Sequence, residues 1–362
     1  MKTEGFVING WFLTERTLGI QRVARELVRA LDEFVPAGCV ELLAPRSAAD
    51  VPTYANIRVV RRGTCGRFLW EQLVLPAYAR AHGRVPVSLC NVVPLLRPGV
   101  VCIHDVFYRT MAPMFRKSPR GFLSMAWHRL HYRWAALFAR RILTVSEFSK
   151  REITRLYGVP AARIDVIFNG WEHLTRVEPD ESVFGRFPAL RDGGYYFVLG
   201  SLAEYKNLRW VFESAARHPC VRYVVTGRGM ESAMSDCLNG ARPANVCFTG
   251  FLDDAEVKAI LLRCKALVQP SKAEGFGLPP LEALSLGREI IVSRRTAMPE
   301  VYGTAAHYIE DPEDYAAVDP DALLAQPASG AADVLARCSW RNSARVLYSC
   351  LVDVGRPKGE LA

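Results

Sequence analysis

A chain of 362 residues, 50% hydrophobic and 23% charged, has room for two ordinary domains with cores of their own and is too apolar for a disordered polymer. No apolar stretch reaches the length of a membrane-spanning helix. The formal charge of +9 is uneven: residues 1–170 hold 25 Lys and Arg against 12 Asp and Glu, whereas residues 171–362 hold 21 against 25. The basic first half invites an anionic partner, and without a helix-turn-helix, RNP or zinc-finger pattern that partner is not expected to be nucleic acid.

In chain order, Phe6-Val7-Ile8-Asn9 opens as a strand where a signal peptide would have a long apolar core, so a cytoplasmic chain is expected. Leu18 to Val28 then combines a glycine turn at Gly19 with an amphipathic helix, apolar at Ile20, Val23, Ala24, Leu27 and Val28. Val100 to Ile103 is a strand ending in His104-Asp105. Arg141 to Val145 is another, followed by Ser146 as a predicted N-cap. Ligands gather at the carboxyl ends of strands in doubly wound sheets, so Asn9-Gly10, His104-Asp105 and Ser146-Glu147 are candidate site positions. Two segments, Phe115 to Arg141 and Arg58 to Trp70, interleave basic and aromatic residues. Each suits an anionic lipid surface or a core helix with a charged outer face.

A polar stretch over residues 171–193 reads as an interdomain linker. Strands recur at Tyr195 to Gly200, Tyr223 to Gly227, Val246 to Gly250 and Ala266 to Gln269, alternating with amphipathic helices. That alternation predicts α/β domains with parallel sheets. Asp253-Asp254 reads as a helix start, which leaves no Asp-x-Asp-type pair for a metal. The ten cysteines, with no C-x-x-C pair, read as small hydrophobes of a reducing compartment. Cys338 to Arg345 leads into an apolar terminal helix at Val346 to Val352, packed either on its own domain or back on the first.

The densest segment is Pro270-Ser271-Lys272-Ala273-Glu274-Gly275-Phe276-Gly277-Leu278-Pro279-Pro280-Leu281-Glu282. It places two carboxylates, two glycines and a helix start behind a buried strand. The glycines let backbone approach a ligand, and a helix start turns N–H groups toward an anion such as a diphosphate. Glu274 and Glu282 suit polyol hydroxyls.

This is the E-x7-E spacing of retaining glycosyltransferases, and the chain resembles family 4 of those enzymes over nearly its whole length. The resemblance implies the GT-B fold: two Rossmann-like α/β domains with parallel sheets facing a central cleft. An acceptor-side domain would span 1–175 and a nucleotide-sugar domain 190–339, with a helix at 340–362 returning to the first. By the same resemblance Glu274 contacts the donor sugar, Gly275, Phe276, Gly277 and Leu278 lie against sugar and phosphate, and Glu282 binds the ribose. His104 and Asp105 match a His-Asp pair near donor sugar and acceptor, and Gly19 and Gln21 match a loop facing the donor phosphate.

Gly200-Ser201-Leu202-Ala203-Glu204-Tyr205-Lys206-Asn207 resembles the family's Gly-Thr-Leu-x-x-Arg-Lys-Asn segment. Gly200, Lys206 and Asn207 match, but Tyr205 stands where Arg is usual, and Arg228 in the next loop is the candidate substitute cation. The implied activity is transfer of a hexose from a nucleotide sugar, GDP-mannose in preference to a UDP-sugar, with no metal or other cofactor. The implied acceptor is an oligosaccharide or a polyprenyl-diphosphate-linked glycan of surface polysaccharide or lipopolysaccharide, at the inner face of the plasma membrane. A nucleotide-sugar epimerase shares the fold, and a catalytically silent scaffold is the reading that Tyr205 favours.

Overall fold

The structure, a computed structural model, describes residues 5–241, 243–315 and 319–356. It divides into two compact units, residues 1–169 with 339–362, and residues 170–338. The polar stretch 171–193 is therefore not a linker. Val183, Phe184 and Leu190 are buried there, and Lys258 Nζ donates to the carbonyls of Leu174 and Val177 at 2.9 and 2.6 Å. Its polarity belongs to turns, while its few apolar side chains fasten it to the second unit. The part of the expected terminal helix beyond residue 356 lies outside the described residues.

In the first unit, β1 (Gly5–Asn9), β2 (Val40–Ala44), β3 (Arg58–Arg61), β4 (Arg84–Ser88), β5 (Val100–Cys102), β6 (Arg141–Thr144) and β7 (Ile164–Val166) form one parallel sheet. Its order is β3-β2-β1-β4-β5-β6-β7. Central strands buried on both faces, such as β2 and β5, read as near-continuous apolar runs. β4 contains Pro86, a residue that normally argues against a central strand. Pairing with β5 starts only at Val87, so the missing N–H falls before that ladder begins. The C-terminal helix Trp340–Gly355 belongs to this unit: Ser343 Oγ donates to the Phe168 carbonyl, and Arg341 pairs with Glu33 at 3.5 Å.

In the second unit, β8 (Tyr195–Leu199), β9 (Arg222–Thr226), β10 (Val246–Gly250), β11 (Ala266–Gln269), β12 (Glu289–Ser293) and β13 (His307–Ile309) form a parallel sheet in the order β10-β9-β8-β11-β12-β13. Both units thus repeat the 3-2-1-4-5-6 winding of the Rossmann fold. The chain reverses its direction of winding between β1 and β4 and between β8 and β11, where loops diverge and leave a crevice. All ten cysteines are free, and burial pushes Cys264 and Cys350 up to about 12, as expected of packing residues.

Candidate active site

The loops after β8 and β11 meet at the switch point of the second unit. Three bonds join them: Lys272 N donates to the Tyr205 carbonyl at 2.7 Å, Asn207 Nδ2 to the Pro270 carbonyl at 3.0 Å, and Lys206 Nζ to Glu274 Oε1 at 2.7 Å. Asn207 sits in the left-handed region at φ 56° and its amide also reaches the Pro312 carbonyl at 2.7 Å. Its side chain braces three loops. Lys206 Nζ lies 5.5 Å from the Tyr205 ring centroid, so the aromatic ring in the place of an arginine faces the cation.

Glu274 is 7% exposed. The same oxygen that pairs with Lys206 also accepts from Gln269 Nε2 at 2.7 Å, and the Glu274 N–H donates to Thr296 Oγ1 at 2.9 Å. Thr296 is a β-branched residue at φ 52°, a costly conformation that the surroundings must hold in place. Gly277, at φ 88°, precedes the helix Leu278–Ser285. A Cβ there would come within 2.5 Å of Met298 Cε, and the Gly277 carbonyl accepts from the buried Tyr302 hydroxyl. Gly275, Phe276 and Leu278 are buried beside it.

Glu282 lies within that helix, and His173 Nε2 donates to its Oε1 at 2.9 Å. His173 comes from the short helical turn Glu172–Arg176 and is 2% exposed. Gly200 continues β8, its N–H bonded to the Thr226 carbonyl at 2.8 Å; a Cβ there would lie 2.3 Å from that oxygen. Arg228 follows β9 but is exposed, with no hydrogen bond or ion pair to another described residue. It is not gathered into the Lys206–Glu274 cluster.

The candidates of the first unit form two groups at its own switch point. His104, after β5, is tied to the loop after β4: its N–H donates to Asn91 Oδ1 at 2.9 Å and its Nε2 to the Leu89 carbonyl at 2.8 Å. Burial holds its pKa below the ordinary value, so the ring is neutral with its proton on Nε2. Asp105 Oδ1 accepts from the Phe107 N–H at 3.0 Å. At the end of β1, Asn9 Nδ2 donates to Glu71 Oε1 at 3.0 Å, Arg67 bridges Glu71 and Glu15, and Gln21 Nε2 donates to Glu15 Oε2 at 2.8 Å. Desolvation raises the pKa of Glu71 despite Arg67. Gly19 is the first residue of the helix Gly19–Leu31, with open space where a Cβ would stand.

Sequence reasoning did not single out Gln269, Thr296 or His173. Gln269 ends an apolar run, and that polar residue at a strand's carboxyl end was the available signal. His173 lay in the presumed linker, and nothing local marks Thr296.

Residues 18–173 match the family described as Glycosyltransferase Family 4, and residues 186–319 that described as Glycosyl transferases group 1. The first segment contains Gly19, Gln21, His104 and Asp105, and the second contains Lys206, Asn207, Glu274 and Glu282. The chain belongs to the family 4 glycosyltransferases. It is 28% identical over 246 residues to the O-antigen chain mannosyltransferase B of Escherichia coli, covering 63% of this chain and 61% of that protein. It is 25% identical over 228 residues to the O-antigen chain mannosyltransferase RfbU of Salmonella typhimurium, covering 62% and 60%. The chain thus spans about three fifths of the length of these curated relatives. Among solved structures it resembles Anabaena HepE in complex with UDP and glucose, with a TM-score of 0.69 over 97% of this chain and 100% of that one. At 14% identity this likeness supports the GT-B fold of the family.

Proposed function

We propose that the protein is a retaining hexosyltransferase that moves a sugar from a nucleotide-sugar donor to a glycan acceptor, in assembly of the O-antigen of lipopolysaccharide. The observation that carries this reading is the Lys206–Glu274 pair at 2.7 Å on the switch point of the second unit. A cation for a diphosphate and a carboxylate for sugar hydroxyls are held side by side, next to a glycine-rich helix start. Relatives named as O-antigen mannosyltransferases favour mannose, hence GDP-mannose over a UDP-sugar. The acceptor we favour is a polyprenyl-diphosphate-linked glycan at the cytoplasmic face of the membrane.

In the reaction, the bond from the sugar's anomeric carbon to the diphosphate oxygen breaks, and a bond from the acceptor oxygen forms on the same face. The acceptor's proton passes to the departing diphosphate oxygen. Lys206, which has three donors, keeps one on Glu274 and offers others to the diphosphate as charge develops on it. Pro279 and Pro280 carry no N–H, so anion contact at this helix start falls to Leu278 and to the Gly275-Phe276-Gly277 backbone. Glu274 and Gln269 orient the hexose, and Glu282, steadied by His173, takes the ribose. On the first unit, neutral His104 offers its Nδ1 lone pair to a sugar hydroxyl. No metal is required in this scheme, because Lys206 and the backbone supply the positive charge.

Thermal unfolding with GDP, UDP, GDP-mannose and UDP-glucose tests the donor, since a ligand of the folded state raises the melting temperature. Selective stabilisation by the guanosine compounds, followed by acceptor-dependent release of GDP, is the expected result. A folded protein that none of the four stabilises would overturn the donor assignment.

A further inference from the structure

Between Asp105 and Glu147 the chain carries eight Lys and Arg and no Asp or Glu. The helix Pro119–Phe138 lies within this stretch, and its apolar residues are spread around it instead of gathered on one side. Met125, Tyr132, Ala135 and Ala136 face the core of the first unit. The opposite side exposes Phe122 at 52%, Leu123 at 69%, Leu130 at 44% and Leu137 at 57%. Spacings of seven residues from Leu123 to Leu130 and from Leu130 to Leu137 put them along one stripe, two turns apart.

The stripe continues onto the helical segment over residues 67–74 and onto the loop after β4. Phe68 packs on Trp127 with ring centroids 5.2 Å apart, and Phe68, Leu69 and Leu73 are each about half exposed. Trp134 donates to the Leu95 carbonyl at 2.6 Å and so holds the next residue, Leu96, which is 84% exposed. Arg116, Arg120 and Arg133 are exposed around this apolar ground.

A monomeric soluble surface rarely gathers this many large apolar side chains in one place. Exposed apolar residues on a helix whose charged side chains are all cationic match a bilayer with anionic headgroups, where the apolar side chains enter the acyl boundary and the arginines stay with the phosphates. Among the described residues no helix is long and apolar enough to cross a membrane, so the contact is a surface one.

We infer that the outer face of the Pro119–Phe138 helix, with Phe68 to Leu73 and Leu96, is a docking surface for an anionic lipid bilayer. It deepens the transferase reading and rests on that reading for the identity of the acceptor, while lipid binding itself needs neither donor nor acceptor.

The test is co-sedimentation of the full chain with phosphatidylcholine vesicles, with and without phosphatidylglycerol, at two salt concentrations. Binding should need phosphatidylglycerol and weaken with salt. The double variant F122E/L123E should lose about tenfold or more in vesicle affinity. Exchanging Arg116, Arg120 and Arg133 for Gln should cost about fivefold each. Thermal unfolding of both variants should match the parent, since these side chains are exposed. No binding to anionic vesicles by folded protein overturns the proposal. So does a dimer in sedimentation equilibrium that F122E/L123E dissociates, which would assign the face to protein contact. If vesicles bind but no nucleotide sugar does, the transferase reading fails and the lipid surface stands.

Discussion

One oxygen of Glu274 accepts from both Lys206 and Gln269, so removing the carboxylate leaves a half-buried ammonium and a buried amide facing each other. Glu274→Ala should lower turnover about 10²–10³-fold, the usual cost of one lost electrostatic contact at a reacting centre. Glu274→Gln keeps an acceptor oxygen and should recover melting temperature more fully than turnover. Initial rates and thermal unfolding on the two variants decide it: wild-type turnover in Glu274→Ala would remove this residue from the site. In the proposed scheme His173 is one step further out, bonded to Glu282. His173→Ala should raise the donor KM about tenfold with a smaller change in kcat, since a hydrogen bond to a charged group contributes about 1.5–3 kcal/mol. A Gln at 173 should restore part of the affinity, which a purely packing role would not require. Glu274 and Glu282 were legible in the sequence because their spacing, glycines and prolines are contiguous. Gln269, Thr296 and His173 were not, because only the folded sheet brings them beside those carboxylates.

Two elements carry separable tests. On the helix Pro119–Phe138, burial pushes His128 and His131 down to about 4. The folded state therefore binds fewer protons than the unfolded one over this range, and the stability these rings contribute is present above about pH 6.5 and lost as pH falls toward 4. His128 stacks on Tyr108 with centroids 4.5 Å apart, and its Nδ1 is buried without a partner. His128→Phe should keep the stack and flatten the acid limb of a melting-temperature profile measured from pH 7 to pH 4. His131 differs, because its Nδ1 accepts the Val93 N–H at 3.1 Å, so the same exchange there orphans a backbone donor. In the second unit, Gly277 pivots the loop into the helix Leu278–Ser285. Gly277→Ala meets both the positive φ and Met298, and should cost about 1–3 kcal/mol in urea unfolding. β1, β5, β6 and β8 to β11 were readable from their apolar runs, whereas β2 and the three-residue β13 were not singled out, and β3, with Arg at both ends, and β4, with Pro86, were hidden by residues whose edge position and ladder offset make them tolerable.

At the scale of the whole chain, the order of residues and the division into units disagree. The last helix, Trp340–Gly355, follows the second unit in sequence and belongs to the first in space. Its Ser339 cap accepts from the Asn342 N–H at 3.1 Å, and Trp340, Leu347 and Leu351 are almost fully buried. Each such side chain contributes roughly 2 kcal/mol, so the three together approach the whole stability of an ordinary domain. Sequence pattern could not choose between the two packings, since an apolar stripe does not say which core receives it. Deleting residues 339–362 should therefore unfold or loosen the first unit, leaving the second unit its own sheet and core. Hydrogen exchange read by peptide should show β1, β4 and β5 losing protection while β8, β11 and β12 keep theirs. Equal loss in both units would mean that they unfold as one cooperative body, and loss confined to the second would place the helix in the wrong core.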